Sequence, residues 1–456
     1  MRLPARRWTW VAVVAGLAPR AAASADRPGA PSAPGTPRPN VILIVADDLG
    51  YGDLSCFGSR AIRTPVLDAM AADGIRLTAF TTTSAVCSPS RAAMLTGRYA
   101  ARSGIWRVLF SADSTGLPAG EVTLAEALRA HGYATGLVGK WHLGQRPAFF
   151  PTRHGFDSFF GLPLPPKLYR NEELIEADVD ASTLVERFTE ESVRFIHEHE
   201  KGPFLLWIGH TLVHAPVVVS PRFQGKSAAG AYGDAVQALD WSTGQVLDAL
   251  RREGIDRNTL VIFLSDNGPA DLGSTGGLRS RKGSLYEGGL RVPFIARWPA
   301  RIPPGRASDE PVNALDLFPS ILAAAGISPP SDPPLDGDDV LPLLTGATDH
   351  RPPRMFLYLD GIDLEAARFG RWKIHIGHHE PRAVMGAGPN PVQWLARPEL
   401  FDLTMDPGES YDLGPEHEDV LLDLVGRMRE LLKTLPDTIQ APLWVPTTRS
   451  PAERRR

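Results

Sequence analysis

The fold is decided by residues 41–48, which read VILIVADD. The first five residues form an apolar run without polar alternation, a pattern typical of a strand buried on both faces of a parallel sheet. Two carboxylates, Asp47 and Asp48, follow at once, and glycines after them mark a turn. The stretch therefore predicts a buried strand whose carboxyl end presents two acidic side chains.

The same pattern recurs along the chain, with helical segments between the strands. Further buried strands are predicted at 75–80, 133–138, 204–208 and 260–264, and helices at 64–73, 123–131, 184–199 and 231–252. Strands that alternate with helices predict an α/β sheet with crossover helices. Polar residues lie just past four of these strands: Asp47 and Asp48, Lys140 and His142, His210 and His214, and Asp266 and Asn267. Because ligands bind at the carboxyl edge of such sheets, we expect these residues to meet in one crevice.

The pattern changes after about residue 345. Short strands at 355–359, 366–369, 372–376 and 400–403, with a helix at 418–432, predict a smaller α+β domain with an antiparallel sheet. The predicted division is a signal peptide at 1–25, a Pro-rich linker at 26–39, a large N-terminal domain at 40–345, a C-terminal subdomain at 346–440 and a tail at 441–456.

The first 25 residues predict export. Three arginines precede an apolar run from Trp8 to Ala18, and Ala-Ser-Ala at 23–25 forms a cleavage site. The run is too short to span a bilayer as a helix. We therefore expect a periplasmic or secreted protein without stable membrane insertion.

The charge balance argues against a nucleic-acid partner. Residues 1–25 contain four arginines and no acidic residue, so the mature chain has 44 basic and 52 acidic groups and a net charge of −8. Proteins that bind nucleic acid through overall charge are basic. An anionic substrate would therefore require a local cationic pocket. The hydrophobic content of 43% and charged content of 22% are those of a globular protein with a real core.

The chain has two cysteines, Cys56 and Cys87, too few for a zinc-type cluster but enough for one disulfide in an exported protein. Residues 86–98, VCSPSRAAMLTGR, predict a helix with Pro89 in its first turn. Cys87 then lies at the helix N-terminus, where free backbone N–H groups and the dipole favour an anion. Arg91 points a cation to the same place. For an isolated cysteine, simple burial in the core is the favoured interpretation, because free Cys is among the most buried residue types.

Asp47, Asp48, Asp266 and Asn267 offer only oxygen ligands. Three carboxylates around one cation suit Ca²⁺ or Mg²⁺. Each pair of residues taken alone equally fits a turn or a helix cap. Two acid-rich strand ends at one sheet edge favour a metal site.

Five sequence blocks resemble those of the type I sulfatases, in the order of that family. They are DDLGYGD at 47–53, CSPSR at 87–91, GKWH at 139–142, DNG at 266–268, and Lys282 with EGGLRVP at 287–293. The resemblance extends from about residue 40 to residue 413 and is greatest to the arylsulfatase A and N-acetylgalactosamine-6-sulfatase branch. It implies an alkaline-phosphatase-like sandwich with its catalytic domain at 40–345. It also implies hydrolysis of a sulfate monoester of a carbohydrate or an aryl compound.

The resemblance further implies that a formylglycine-generating enzyme oxidises Cys87 before folding and that the hydrated aldehyde is the nucleophile. A divalent cation, calcium or magnesium, would be held by Asp47, Asp48, residue 87, Asp266 and Asn267. Such a cation polarises sulfur and lowers the pKa of the aldehyde hydrate. The expected partners are the modifying enzyme and a sulfated small molecule or glycan.

The remaining implied roles concern charge and proton transfer. Three cations would neutralise the sulfate oxygens in the transition state: Arg91, Lys140 and Lys282. His214, together with Lys282, would protonate the leaving oxygen. Asp266 would take the proton of the attacking hydroxyl, and His142 that of the second hydroxyl.

Two other functions stay open at this point. A phosphatase or phosphonate ester hydrolase of the same fold group would use similar carboxylates, though such enzymes commonly use Ser, Thr or a second metal. A protein that only binds sulfated glycans would keep Cys87 unmodified. The segment 161–167 departs from the family because prolines occupy a place where some members have a polar side chain. No site residue is predicted there.

Overall fold

The structure is a computed structural model that describes residues 37–379 and 391–445. The predicted signal peptide at 1–25, most of the linker at 26–39 and the tail from residue 446 lie outside the described residues. Within the described residues, no helix is long and apolar enough to cross a membrane.

The strands follow the predicted order, with several short additions. They are β1 Asn40–Ala46, β2 Ile75–Leu77, β3 Phe80–Thr81, β4 Ala134–Lys140, β5 Ser158–Leu162, β6 Leu168–Arg170, β7 Glu173–Glu176, β8 Phe204–Gly209, β9 Thr259–Ser265, β10 Phe294–Arg297, β11 Arg306–Ser308, β12 Val312–Asn313, β13 Met355–Asp360, β14 Asp363–Phe369, β15 Trp372–His378 and β16 Gln393–Asp402. The helices are α1 Pro65–Ala72, α2 Cys87–Thr96, α3 Ala100–Ser103, α4 Leu124–Arg129, α5 Leu184–Glu198, α6 Gly230–Arg252, α7 Glu287–Leu290, α8 Leu317–Ala324, α9 Leu341–Thr345 and α10 Glu418–Leu432.

The large sheet has the order β11-β2-β10-β9-β1-β8-β4-β5-β6-β7 over the described residues. Its centre, from β9 to β5, is parallel, whereas β10, β6 and β7 join antiparallel. Every residue of β1 is buried, as the apolar run at its start predicts. The expectation of a large, mostly parallel sheet is confirmed at the centre, and the edges make the sheet mixed.

Helices cover both faces of the sheet, which gives a three-layer sandwich. Alternate residues of β1 point to opposite faces because side chains in a strand have a period of two. Ile42 and Ile44 pack in the core beneath α1, α5 and α6. Leu43 and Val45 pack in the core beneath α2, α4, α8 and α9.

A separate antiparallel sheet, β13-β14-β15-β16, follows and packs against α10. This confirms the expected C-terminal α+β unit with an antiparallel sheet. Its core also includes Ala93 and Tyr99, which belong to the segment around α2 and α3. The C-terminal sheet therefore contacts the part of the chain that begins with Cys87.

The single strand predicted at 75–80 is wrong in detail. The chain forms β2, which pairs with β10 and β11, and then β3, which pairs with β12 in a different sheet. The carbonyl of Thr78 accepts hydrogen bonds from Tyr51 Oη, 3.1 Å, and Arg291 Nε, 2.5 Å. The Thr78 carbonyl therefore bonds to side chains and not to a neighbouring strand, at the point where β2 ends and the chain turns toward β3.

Three glycines at the carboxyl edge let β5, β4 and β8 approach closely. Gly139 of β4 faces Gly161 and Gly209 in register. A Cβ on Gly139 would lie 1.9 Å from the carbonyl oxygen of Gly209, and one on Gly161 would lie 1.9 Å from that of Gly139. Real Cβ atoms do not come this close to a backbone oxygen, so the edge requires glycine.

We expect Gly139→Ala to destabilise the protein far more than Gly132→Ala. Both glycines have positive φ, but a Cβ on Gly132 would meet no atom within 4 Å. The left-handed backbone alone costs about 1–2 kcal/mol for alanine. The added clash should bring the loss in free energy of unfolding for Gly139→Ala above about 4 kcal/mol, a value that few single substitutions reach. Urea unfolding measures both free energies, and equal losses would contradict the clash.

Candidate active site

Acidic side chains from two neighbouring strands meet above the carboxyl edge of the sheet. Asp47 and Asp48 follow β1, and Asp266 follows β9. One donor atom from each of these carboxylates and the sulfur of Cys87 lie within 4.8 Å of one another. All four residues are buried. The crevice predicted from the strand ends is therefore present.

Cys87 is the first residue of α2, as expected, and Val86 before it is extended. The helix ends at Gly97, whose φ of 65° provides the left-handed cap. The Sγ atom donates to Asp47 Oδ1 at 3.6 Å. Burial raises the pKa of the Cys87 thiol to about 12. As an unmodified cysteine, residue 87 is thus a neutral thiol and a poor nucleophile. Cys56 and Cys87 are both free.

Arg91 lies one turn along α2 and is fully buried. Its Nε donates to Asp266 Oδ2 at 2.9 Å, and its Nη1 donates to the carbonyl of Lys140 at 3.0 Å. Burial opposes the charge of the guanidinium, but Asp266 and Asp47 raise its pKa. Arg91 therefore ties the helix of Cys87 to both β9 and β4.

Two lysines complete the pairing of charges. Lys140 Nζ donates to Asp47 Oδ2 at 2.6 Å, and Lys282 Nζ lies 2.6 Å from both oxygens of Asp48. Burial acts against ionisation of Asp47, but Lys140 and the other nearby cations hold its pKa well below the usual range. Burial also opposes the charge of Lys282, yet the adjacent acidic groups raise its pKa.

Asn267 has a side-chain oxygen that is free to bind a cation. Its Nδ2 donates to Asp48 Oδ1 at 2.7 Å and to the Gly268 carbonyl at 2.9 Å. Its Oδ1 is buried without a hydrogen-bond partner. A buried amide oxygen without a partner is costly. The same side chain contacts the carboxylate of Asp48, and amide and carboxylate oxygens are the ligands that Ca²⁺ and Mg²⁺ prefer. Burial raises the pKa of Asp266 to about 6, another sign of carboxylates crowded together. These residues fit a divalent cation.

The two histidines predicted in the site occupy different positions in it. His142 Nε2 donates to the carbonyl of Leu109 at 3.0 Å, and its buried Nδ1 has no partner. Burial and the charge of Lys140 lower the pKa of His142 well below its usual value. The ring is thus neutral, with an unprotonated Nδ1 available as a base. His214 is partly exposed, with Nε2 3.8 Å from Asp48 Oδ2.

His210, at the end of β8, points away from the site. Its Nε2 lies 3.3 Å from Ser242 Oγ of α6, and the residue is buried. The position of His210 just past a strand suggested proximity to the pocket. The alternation of side chains sends it instead into the helix layer beneath α5 and α6.

Sequence reasoning missed two residues that support the site. Tyr232 of α6 donates to Asp53 Oδ2 at 2.5 Å, and Asp53 also accepts from the backbone N–H groups of Gly50 and Ser274 at 2.8 Å. These bonds fix the turn that follows Asp48. Asp53 stands in the DDLGYGD block and could have been found there. Tyr232 carries no such signal.

Comparison with known proteins now gives the family. The Sulfatase family model matches residues 39–327, and the model for the C-terminal region of aryl-sulfatase matches 351–449. The chain belongs to the sulfatase family. It is an enzyme that hydrolyses sulfate esters. A model of the N-sulphoglucosamine sulphohydrolase C-terminus also matches 280–377.

The relatives of this sulfatase span most of its length. It is 35% identical to steryl-sulfatase of Mus musculus, over 91% of this chain and 86% of that protein. It is 36% identical to N-acetylgalactosamine-6-sulfatase of Mus musculus, over 88% and 87%. The solved PsFucS1 sulfatase from Pseudoalteromonas sp. is similar with a TM-score of 0.81 and 27% identity, covering 90% of this chain and 92% of that one.

We expect Gly209→Ala to reduce the turnover of this sulfatase strongly. A Cβ at residue 209 would lie 2.5 Å from the Lys140 carbonyl oxygen and 3.1 Å from Arg91 Nη1. Displacing either group by about 1 Å should cost on the order of 100-fold in kcat. Turnover of an aryl sulfate, with circular dichroism to check folding, measures the effect. Gly202→Ala is the matched control, because a Cβ there meets no atom within 4 Å. Wild-type turnover in Gly209→Ala would contradict this account.

Proposed function

We propose that this sulfatase hydrolyses a sulfate monoester of a carbohydrate or an aryl alcohol, with formylglycine at position 87 and one divalent cation, calcium or magnesium. The observation that carries the proposal is the convergence of three buried cations and three buried carboxylates on the residue that begins α2. The name of one relative, N-acetylgalactosamine-6-sulfatase, supports the carbohydrate class, and the match to the C-terminal region of aryl-sulfatase supports the aryl class.

The modification would solve a chemical problem posed by the fold. The thiol of Cys87 is buried and neutral, so the unmodified side chain is a weak nucleophile. Formylglycine hydrate supplies a geminal diol, in which one hydroxyl attacks sulfur and the other then drives release of sulfate as the aldehyde reforms. Asp266, whose pKa burial raises to about 6, would accept the proton of the attacking hydroxyl.

The cation would be held at the sheet edge by the carboxylates, the amide oxygen and residue 87. The residues of this set are Asp47, Asp48, Cys87 as formylglycine, Asp266 and Asn267. When bound, a divalent cation polarises the sulfate group and lowers the pKa of the adjacent hydroxyl. The Oδ1 atom of Asn267 supports the assignment, because it is a buried oxygen without a hydrogen-bond partner, and a bound cation would satisfy it.

Three side chains would stabilise the negative charge on the sulfate oxygens. Arg91, Lys140 and Lys282 are all cationic and desolvated, so their attraction for an anion is stronger than it would be in water. Lys140 and Lys282 now donate to the carboxylates that the cation would bind. In the loaded enzyme both ammonium groups would be available to the substrate.

Two histidines would move protons at opposite ends of the reaction. His214 lies at the exposed rim and would protonate the leaving oxygen together with Lys282, since substrate enters from solvent. His142 is buried, and its Nδ1 would accept the proton of the second hydroxyl. The Leu109 carbonyl supports that role because it holds Nε2 as the donor.

We also propose that the chain matures in two steps, export and modification of Cys87. A signal peptide at 1–25 directs export to the periplasm or beyond, and a formylglycine-generating enzyme acts on Cys87. The linker then leads to the catalytic domain at 40–345, the C-terminal subdomain at 346–440 and the tail at 441–456.

Peptide mass spectrometry of protein from its native host tests the maturation. We expect the tryptic peptide 77–91 to have the mass of formylglycine or its hydrate, and no peptide from 1–25 to remain. Cys56 should keep the mass of cysteine and serves as the internal control. Intact cysteine at residue 87 in an active enzyme, or a disulfide between the two cysteines, would contradict the proposal.

Cys87→Ala should abolish turnover, because it removes the nucleophile and one ligand of the proposed cation. The fold should stay intact, because the substitution removes one small atom, whose hydrogen bond to Asp47 Oδ1 is long at 3.6 Å. Matched sulfate and phosphate monoesters measure the activity of both proteins. A Cys87→Ala variant with full activity, or a wide preference of the wild type for phosphate, would contradict the proposed reaction.

Calcium should stabilise the metal-stripped protein. Binding to the folded state alone adds about 3 kcal/mol at a calcium concentration one hundred times Kd. Asn267→Ala should lose most of this stabilisation, measured as the calcium-dependent rise in Tm. Asn258→Ala is the control, because the side chain of Asn258 donates to the carbonyls of Pro37 and Arg38 at 3.1 Å and is not in the proposed ligand set. An equal calcium response in all three proteins would place the cation elsewhere.

A further inference from the structure

A second cluster of buried charges lies where the C-terminal sheet meets the segment 279–291. Lys373 of β15 places Nζ 3.0 Å from Glu287 Oε1 and 3.0 Å from Glu409 Oε1. All three side chains are fully buried. None of them is part of the catalytic machinery proposed above.

Glu409 connects the cluster to the backbone of the segment 279–291. Its Oε2 accepts from the backbone N–H of Glu287 at 2.5 Å, and its own carbonyl accepts from Arg279 Nη1 at 2.8 Å. Its Oε1 also lies 2.8 Å from His375 Nε2. One glutamate therefore bonds to the segment before and after Lys282, at Arg279 and Glu287, and to two side chains of β15.

The segment 279–291 carries Lys282, and its backbone is bonded to neighbouring parts of the chain. The backbone N–H of Lys282 donates to the Pro269 carbonyl at 2.9 Å, and that of Gly283 donates to the Ala85 carbonyl at 2.9 Å. A Cβ on Gly288 would lie 2.2 Å from the Ser280 carbonyl oxygen. A Cβ on Gly289 would lie 2.0 Å from the Ser284 carbonyl oxygen and 2.7 Å from that of Arg281. The backbone that follows Glu287 therefore packs directly on residues 280–284, so a shift at Glu287 is passed to the part of the segment that carries Lys282.

Stability alone is a poor explanation for this cluster. A buried ion pair often contributes no more than apolar residues of the same volume would, because desolvation of the charges opposes their attraction. Filling a core with Lys373 and two glutamates costs desolvation free energy that apolar side chains would not. What paired charges do provide is a single fixed geometry, since any shift leaves a charge uncompensated.

We propose that Lys373 is a positioning residue that, through Glu287 and Glu409, fixes the segment 279–291 and so sets the place of the Lys282 ammonium group at Asp48. The C-terminal sheet is then required for the chemistry as well as for folding. The inference rests on the proposed role of Lys282 in stabilising the sulfate and protonating the leaving oxygen.

Hydrogen exchange of the full-length, calcium-loaded protein tests the positioning without any substrate. We expect Lys373→Met to speed exchange in peptides of 279–291 by at least about tenfold, the change expected when a local opening free energy falls by about 1.4 kcal/mol. The peptide 87–98 should be unchanged. Glu409→Gln keeps the shape of the side chain and should give a smaller change in the same peptides. Unchanged exchange across 279–291 in both variants would overturn the proposal.

Arg354→Met is the matched control for the loss of a long cationic side chain. Arg354 also joins the C-terminal part of the chain to the main unit, through ion pairs of 2.8 Å to Asp316 and Asp338. Its loss should lower Tm without changing exchange in 279–291. The same exchange change in Arg354→Met as in Lys373→Met would overturn the specific role of Lys373.

A series of aryl sulfates then tests the consequence for catalysis. Phenyl sulfate has a poorer leaving group than 4-nitrophenyl sulfate and depends more on protonation of the leaving oxygen. We expect Lys373→Met to lower kcat on the order of 100-fold for phenyl sulfate and clearly less for 4-nitrophenyl sulfate. Lys373→Arg should recover part of the loss. Equal losses for both esters, with Tm lowered in proportion, would overturn the inference.

The two proposals fail in distinguishable ways. A wild-type enzyme that hydrolyses none of the sulfate esters contradicts the proposed function, and the exchange experiment still decides whether Lys373 holds the segment. A wild-type enzyme that is active, with Lys373→Met showing the wild-type kcat on both esters, contradicts only the positioning role.

Discussion

Three buried carboxylates, each held by its own cation, are the constraint on which the rest of this sulfatase depends. The pairs are Asp266 with Arg91, Asp47 with Lys140 and Asp48 with Lys282. A charge removed from water is costly, and one whose partner is absent is costlier still. Because the partners come from segments far apart in the sequence, the sheet order, the start of α2 and the segment 279–291 must all be correct together. The charges that we propose for catalysis and the tertiary structure are therefore specified by the same contacts.

Two residues at this place have a strained backbone. Asp48 and His142 both have φ of 64°, in the left-handed region that side chains rarely adopt. Each follows the carboxyl end of a buried strand, where β1 and β4 leave the sheet. Such conformations persist only when the surrounding structure holds them. The ladder of the parallel strands supplies that support, and the strained residues in return direct their side chains into the crevice.

Much of this arrangement follows from the sequence because burial on both faces has a clear signature. The apolar runs of β1, β8 and β9 predict the centre of the sheet, and the rule that ligands meet at the carboxyl edge predicts which polar residues converge. The division of the strand at 75–80 could not be predicted, because β2 and β3 pair with strands of different sheets, and only the tertiary structure shows which strands these are.

The residues that hold the site residues in place could not be predicted from the sequence either. Leu109 acts through its backbone, and Tyr232 and Lys373 are single residues whose partners lie at distant positions. No spacing or motif marks them, so only tertiary contacts reveal what they do. The burial of Cys87 also depends on residues far along the chain, and this has a consequence for the timing of biosynthesis. Its pocket closes only after Asp266 has been made, about 180 residues later, which at usual synthesis rates leaves about 10 to 35 seconds. The proposed modifying enzyme would therefore have to reach the thiol in that interval, or in a chain kept unfolded for the proposed export, because Cys87 is fully buried in the finished fold.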